Sequence, residues 1–261
     1  MTRSLIPAHL LEEAGPVSAA FTTRRGGVSR GAYRSLNLAY RVGDTAHAVA
    51  TNRRRLAAAL GIGPGACVEA EQVHGTGIAA VERLPCASRR HRRRPIPGVD
   101  ALVTSERGIW LVIYAADCVP ALIVDVKTPA IAAVHAGWRG VAAGVVPAAI
   151  ARMREAFGTA PGECIAMLGP AIGGCCYEVD APVARAMGGA GWWPRAARPT
   201  GPERWHLDLR TAVHEQLVES GVPEGQIATV PYCTACRPDL FFSYRRDGIC
   251  GRMAACISLR P

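Results

Sequence analysis

The 261-residue chain predicts a single domain of mixed α/β character, with β-sheets packed on one another and helices outside. Three observations carry this. Strand-like runs outnumber helical ones, helical and extended signals alternate from the start, and neither an internal repeat nor a linker divides residues 1–261. That length lies within the range of one large domain. Apolar residues make up 49% of the chain, enough to argue against disorder.

In order along the chain, Ser18 to Thr23 reads as a strand and Arg24-Arg25-Gly26-Gly27-Val28-Ser29-Arg30-Gly31 as a glycine-rich loop. Asp44 or Thr45 can cap a helix to about Leu60, with Val49, Arg53, Leu56 and Leu60 at helical spacing and Gly61 as its stop. Val68 to Val73 is extended and delivers His74. Ile109 to Ala115, Ala121 to Asp125 and Ala130 to Val134 are short β-rich runs, placing Cys118 in a turn and His135 at a strand end. Strand ends and the loops beyond them are where α/β proteins usually place chemistry. Gly140 to Phe157 is helical, with Pro147 as a kink or part of a late first turn. Cys164 to Leu168 is a strand, and Gly188 to Pro202, with Trp192-Trp193, an exposed excursion. Asp208 caps a helix carrying Leu209, Val213 and Leu217 inward and ending at Gly221. Ile227 to Tyr232 and Arg252 to Leu259 close the domain as strands.

The formal charge of +9 is an arginine charge, since Lys127 is the only lysine among 30 basic residues. That bias reads as a habit of the coding sequence. The one basic run, Arg89-Arg90-His91-Arg92-Arg93-Arg94, lacks interleaved aromatics and is followed by Pro95, Pro97 and Gly98. It reads as a solvated loop dispensable for catalysis; nucleic acid or another anionic surface is the weaker reading. No apolar run is long enough to span a bilayer, and no early segment resembles a signal peptide. The expectation is a cytoplasmic protein without membrane attachment. Ten cysteines in so large a chain do not predict a disulfide framework. Cys67, Cys164 and Cys256 lie in apolar segments as ordinary thiols. Cys175-Cys176 with Cys233-Thr234-Ala235-Cys236 could build a four-sulfur metal site, but adjacent cysteines have awkward geometry for it, and one metal per chain is expected.

Three separated segments carry the chemistry: Gln72-Val73-His74-Gly75, Ala116-Asp117-Cys118-Val119-Pro120 and His135-Ala136-Gly137-Trp138-Arg139-Gly140. One thiolate and two imidazoles suit zinc and leave a fourth position open. The spacings of 44 and 17 residues are too long for a zinc finger and fit a site assembled from loops. Alternatively, Cys118 is a nucleophile with His135 as its base. Asp117 is placed to orient a ligand or move a proton. Glu71 and Asp100 are weaker acid/base candidates, as is the Tyr177-Glu178 pair. Copper accepts the same three ligands, but a four-copper oxidase needs about ten histidines, and the chain has seven. Arg24, Arg25, Arg53, Arg139, Arg245 and Arg246 are candidates for an anionic substrate, Arg139 best placed of them. Trp138 and Met153 read as packing groups.

At these motifs the chain resembles the YfiH family, long described as polyphenol oxidases or a multicopper laccase domain and now regarded as zinc-dependent purine nucleoside phosphorylases. Further matches are Thr23-Arg24-Arg25-Gly26-Gly27-Val28-Ser29, Ser35-Leu36-Asn37-Leu38, Asn52-Arg53, Leu168-Gly169-Pro170-Ala171-Ile172-Gly173 and Phe242-Ser243-Tyr244-Arg245-Arg246-Asp247. The resemblance implies His74, Cys118 and His135 as ligands of one zinc per chain, with copper as the alternative. It also matches Asn37, Arg53 and the glycine-rich arginine loop to segments lining the family's pocket. Taken with the residues read above, His74, Cys118, His135 and Asp117 are the expected catalytic group, and Arg24, Asn37, Arg53, Gln72 and Arg139 the expected substrate or phosphate contacts. It implies adenosine, inosine, guanosine and methylthioadenosine as substrates with phosphate, and adenosine deaminase activity beside phosphorolysis; a monomer is expected. The implied fold resembles the catalytic domain of cytotoxic necrotizing factor toxins, whose Cys-His pair gives a thiol hydrolase or amidase alternative. Relatives described as peptidoglycan editing factors give another.

Overall fold

The computed structural model describes residues 4–63, 65–82 and 94–261. Of the basic run, Arg89 to Arg93 lie outside the described residues. The chain opens with β1 (Leu5–Pro7), α1 (His9–Ala14) and β2 (Val17–Thr22). Helix α2 (Ala46–Leu60) starts where the Thr45 hydroxyl accepts the Ala48 N–H at 3.3 Å, and stops at Gly61, left-handed at φ 67°. Then come β3 (Cys67–Glu69), β4 (Ile78–Ala80), β5 (Ala101–Thr104), β6 (Trp110–Ala115), β7 (Val119–Asp125) and β8 (Ala130–Ala136). The expected extended run through Val73 ends early, at Glu69, and β8 runs far enough to include His135.

The segment expected as one helix from Gly140 is two: α3 (Trp138–Ala142) and α4 (Val145–Phe157). Gly144, at φ 84°, turns the chain between them. Pro147 is the third residue of α4, where its missing N–H has no helical partner to lose. Next are β9 (Cys164–Leu168), β10 (Glu178–Asp180), α5 (Ala181–Met187), α6 (Trp193–Ala196), β11 (Ala197–Gly201) and β12 (Arg204–Leu207). The expected exposed excursion is therefore folded, with Trp192 buried in the core. An indole there removes a large apolar area from water. The chain closes with α7 (Leu209–Glu219), capped by the Asp208 carboxylate on the Arg210 N–H, then β13 (Ile227–Thr229), α8 (Tyr244–Asp247) and β14 (Met253–Leu259).

Two sheets dominate. One has the order β1-β2-β14-β6-β3 and the other β13-β9-β7-β8-β5-β4; β10-β12-β11 form a small third sheet. Strands β7 and β8 are buried along their whole length, because both faces of their sheet are covered. Leu122, Val124, Ile131 and Ala133 point to the other large sheet, meeting Phe21, Leu111, Ile113 and Ile257. Alternate residues Ala121, Ile123, Ala132 and Val134 point the other way, against Val145, Ile150, Met153 and Leu217 of α4 and α7. On the outer face of the first sheet, Leu56 of α2 packs on Trp110, Val112 and Cys256. The result is four layers, with helix outside, two sheets between and helices outside again. It bears out the expected single-domain sandwich of mixed sheets. No helix among the described residues is long and apolar enough to cross a membrane.

Candidate metal centre and substrate cavity

Strand register brings the three predicted ligands together. In the antiparallel β7–β8 pair His135 lies opposite Pro120, two residues beyond Cys118. Pro120 has no amide to donate and sits at the start of β7, before pairing with β9 begins at Ala121. His74 comes from the loop after β3 and is held there by Asp100. The fully buried Asp100 carboxylate accepts three successive backbone N–H groups, from Val73 (3.1 Å), His74 (2.9 Å) and Gly75 (2.7 Å). That nest of amides keeps His74 in the left-handed region at φ 61°, with Gln72 beside it at φ 62°. Asp117, just before Cys118, has φ 93°. Three of the four non-glycine residues with positive φ among the described residues thus flank or belong to this site. Such backbone persists only where its surroundings over-determine it.

The ligand atoms of His74, Cys118 and His135 all lie within 4.8 Å of one another. Cys118 Sγ is 4.0 Å from His74 Nε2, and the two imidazoles meet edge to face with centroids 4.9 Å apart. Asp100 Oδ1 also takes His135 Nδ1 at 2.9 Å, which leaves Nε2 facing the thiol. Burial opposes charge on Cys118, but the neighbouring His135 and hydrogen bonds from His135 and His74 prevail and hold the thiol at about 6. Burial works against His135 too; the Cys118 thiolate and the bond to Asp100 outweigh it and push the imidazole up to about 9. The donor set fits a metal ion, and the backbone leaves room for it. A Cβ at Gly137 would come within 2.8 Å of His74 Cδ2 and 3.1 Å of Cys118 Sγ. His135 is buried and His74 exposed, so the group opens toward solvent on one side.

That side is a cavity of about 870 Å³, within the range of small-molecule sites. Tyr40, Tyr114 and Tyr244 give it flat apolar faces, and Arg41, Arg53, Arg94, Arg139 and Arg252 line it. The predicted contacts divide. Gln72 lines the cavity but uses its amide to clamp the Tyr114 backbone, donating at 2.6 Å and accepting at 2.8 Å. Arg53 donates to Glu69 at 2.6 Å and to the Leu38 carbonyl, and lies over the Tyr40 and Tyr114 rings. Arg41 pairs with Glu71, whose carboxyl this bond and the Gly98 N–H hold below its usual range. Arg139 stacks on Trp138 and its guanidinium makes no hydrogen bond to a described residue. Among the described residues it is therefore a cation available to a ligand. Arg94, expected in a solvated loop, stands on the cavity rim.

Two predicted contacts do not line the cavity. Arg24 donates to the Arg34 and Pro238 carbonyls and lies over Phe242. Asn37, fully buried, ties Ala39, Asp44 and Arg252 together. Asp117 has both carboxylate oxygens engaged, by the Thr234 hydroxyl at 2.6 Å and the Arg245 N–H at 2.7 Å. Reading the sequence misses Tyr40, Tyr114 and Arg252 as cavity residues and Asp100 as the anchor of two ligands. Only Asp100 carried a signal, as one of the weaker acid/base candidates.

The four-layer fold and this site define a single-domain protein with a metal-competent His/Cys/His group at the floor of an arginine- and tyrosine-lined cavity. The chain belongs to the family described as multi-copper polyphenol oxidoreductase laccase, whose model matches residues 18–260. It is 43% identical over 239 residues to a purine nucleoside phosphorylase of Streptomyces coelicolor, spanning 92% of this chain and 94% of that one. With the purine nucleoside phosphorylase YlmD of Geobacillus stearothermophilus it shares 39% identity over 251 residues, 95% and 91% of the two chains. The crystal structure of Bacillus licheniformis YfiH superposes with a TM-score of 0.92 at 32% identity, covering 99% of this chain and 97% of that one.

Proposed function

We propose that the chain is a zinc-dependent purine nucleoside phosphorylase, acting on adenosine, inosine, guanosine and methylthioadenosine in the cytoplasm. One observation carries the reading: Arg139, an arginine with no acceptor among the described residues, lines the same tyrosine-walled cavity as the His74–Cys118–His135 group. The identity to relatives bearing that enzyme name supports it.

His74, Cys118 and His135 would hold the zinc, which when bound supplies positive charge and Lewis acidity beside the substrate. Copper accepts the same donors. A multicopper centre fits less well, because the described residues gather only two imidazoles into a metal-competent group. In phosphorolysis a phosphate oxygen forms a bond to C1′ of the ribose as the C1′–N9 bond breaks. The bonding pair leaves with the purine, which takes up a proton, and the sugar leaves as ribose 1-phosphate. Arg139 can offer paired N–H groups to the phosphate oxygens, and neutralising them makes the dianion tolerable in the cavity. The tyrosines provide faces on which a purine stacks. Asp100 fixes the tautomer of His135 and the backbone of His74, and Asp117 anchors the loop before Cys118; both are positioning residues.

The test incubates adenosine with and without phosphate and separates adenine, inosine and hypoxanthine. Adenine formed only with phosphate supports phosphorolysis. Inosine formed without phosphate supports deamination in the same cavity, and absence of both products overturns the reading. The Cys118 thiol held at about 6 beside His135 held at about 9 favours a second reading, a thiol hydrolase or amidase. In that case chelation would leave activity intact and alkylation of Cys118 would end it.

A further inference from the structure

A second set of metal-ligating side chains lies outside the cavity. The loop after β9 carries Cys175 and Cys176, and the loop after β13 carries Cys233 and Cys236; all four sulfurs fall within 4.8 Å of one another. Cys236 Sγ is 3.3 Å from Cys176 Sγ and 3.6 Å from Cys175 Sγ. Four sulfurs about 2.3 Å from one tetrahedral zinc stand about 3.8 Å apart, whereas a disulfide requires about 2.05 Å. The adjacent cysteines follow a closely packed turn at Gly173 and Gly174, where added side chains would crowd their neighbours. A Cβ at Gly173 would meet Cys175 Sγ at 3.3 Å, and one at Gly174 would meet Asp208 Cβ at 3.3 Å. The Gly173 N–H also donates to Cys233 Sγ at 3.3 Å, the kind of backbone donor a thiolate ligand needs.

From this we infer that Cys175, Cys176, Cys233 and Cys236 form a second, closed, structural metal site that takes zinc. Four thiolates leave no open coordination position, so the site performs no chemistry on substrate. It staples two loops that leave neighbouring parallel strands, β9 and β13, and that already touch through the Ala171–Cys233 bridge and the Thr234 N–H to Ala171 carbonyl bond. Thr234 stands between two of the ligands and donates to Asp117 Oδ1, and Arg246 donates to the Thr234 and Ala235 carbonyls. The staple therefore holds the loop that holds Asp117, the residue before Cys118.

Protein purified under reducing conditions without added metal should contain about two zinc ions per chain. Cys118→Ser should keep one, the double variant Cys175→Ser with Cys236→Ser should keep the other, and all three changes together should keep none. Reconstitution with cobalt gives a readout independent of activity. Sulfur-to-cobalt charge transfer should be stronger in Cys118→Ser, with four thiolates, than in the double variant, with one. If the double variant does not fold, native alkylation of the wild type decides: Cys175, Cys176, Cys233 and Cys236 should react only after chelation. A single zinc per chain that Cys118→Ser removes would overturn the inference. So would a disulfide among the four, or alkylation at the same rate with and without chelator. These counts stand or fall separately from phosphorolysis.

Discussion

Asp100 and His135 are bonded twice: the Asp100 carboxylate lies 2.9 Å from His135 Nδ1, and its carbonyl accepts the His135 N–H at 2.8 Å. The same carboxylate takes three N–H groups of the His74 loop, so one buried residue sets two of the three proposed metal ligands. Burial works against the charge on Asp100, but His135 and the Gly75 and His74 amides hold its carboxyl below the usual range.

Asp100→Asn is therefore expected to weaken metal binding by about 10–100-fold and to destabilise by about 1–3 kcal/mol, since an amide nitrogen would face backbone donors. Competition with a chromogenic chelator and thermal unfolding measure the two. In the wild type the stabilisation from this depressed carboxyl is complete above about pH 4 and fades as the pH falls below that. An Asp100→Asn protein of unchanged metal affinity would show that the ligands are fixed by something else.

Gly137→Ala tests the space for the ion. Gly137 has φ −79°, open to any residue, so the whole effect comes from a Cβ forced against His74 and Cys118. The variant should fold, lose metal, and lose phosphorolysis with it. Gly189→Ala is the control: a Cβ there meets nothing within 4 Å, and stability should stay within about 0.5 kcal/mol. Full metal occupancy in Gly137→Ala would exclude the proposed ligand placement.

Much of this site was legible in the sequence, because thiols and imidazoles at predicted strand ends are rare enough to stand out. His74, Cys118 and His135 converge as expected. The fold class was legible too, since β7 and β8 are apolar along their length and flanked by turn residues. What sequence could not supply was pairing across distance. Glu69 neutralises Arg53, Asn37 is fully buried, and Asp117 binds Thr234 and Arg245, over 100 residues away. No local pattern encodes such partners. Likewise, adjacent Cys175 and Cys176 have awkward geometry for a metal in sequence, and only the fold brings their sulfurs within 4.8 Å of those of Cys233 and Cys236.

The arginines separate binding from stability. Arg139→Ala should raise KM for phosphate at least tenfold with thermal stability unchanged, because its guanidinium has no acceptor to abandon among the described residues. Arg53→Ala should instead lower stability by about 1–3 kcal/mol, as it strands Glu69 and the Leu38 carbonyl. Initial rates at varied phosphate, run beside thermal melts, give both numbers. Equal KM in wild type and Arg139→Ala would move the phosphate elsewhere in the cavity, with Arg94 and Arg252 next to test.

The thiol of Cys118 yields a pH prediction for metal-stripped protein. Its value is depressed to about 6, so the thiolate fraction grows as the pH rises through 6; His135, raised to about 9, keeps its proton until the pH rises through 9. Between these limits the two form a thiolate–imidazolium pair. Iodoacetamide should accordingly modify Cys118 at a rate that climbs with a midpoint near pH 6. Half-buried Cys67 and buried Cys164, pushed up to about 11 and about 12, should stay unreactive across that window. Loading zinc should protect Cys118 throughout, since the sulfur's lone pair is then engaged. A midpoint near the ordinary thiol value in stripped protein would mean that His135 carries no charge there. The Asp100–His135 bond would then serve only to orient the ring, and the thiol hydrolase reading would lose its nucleophile.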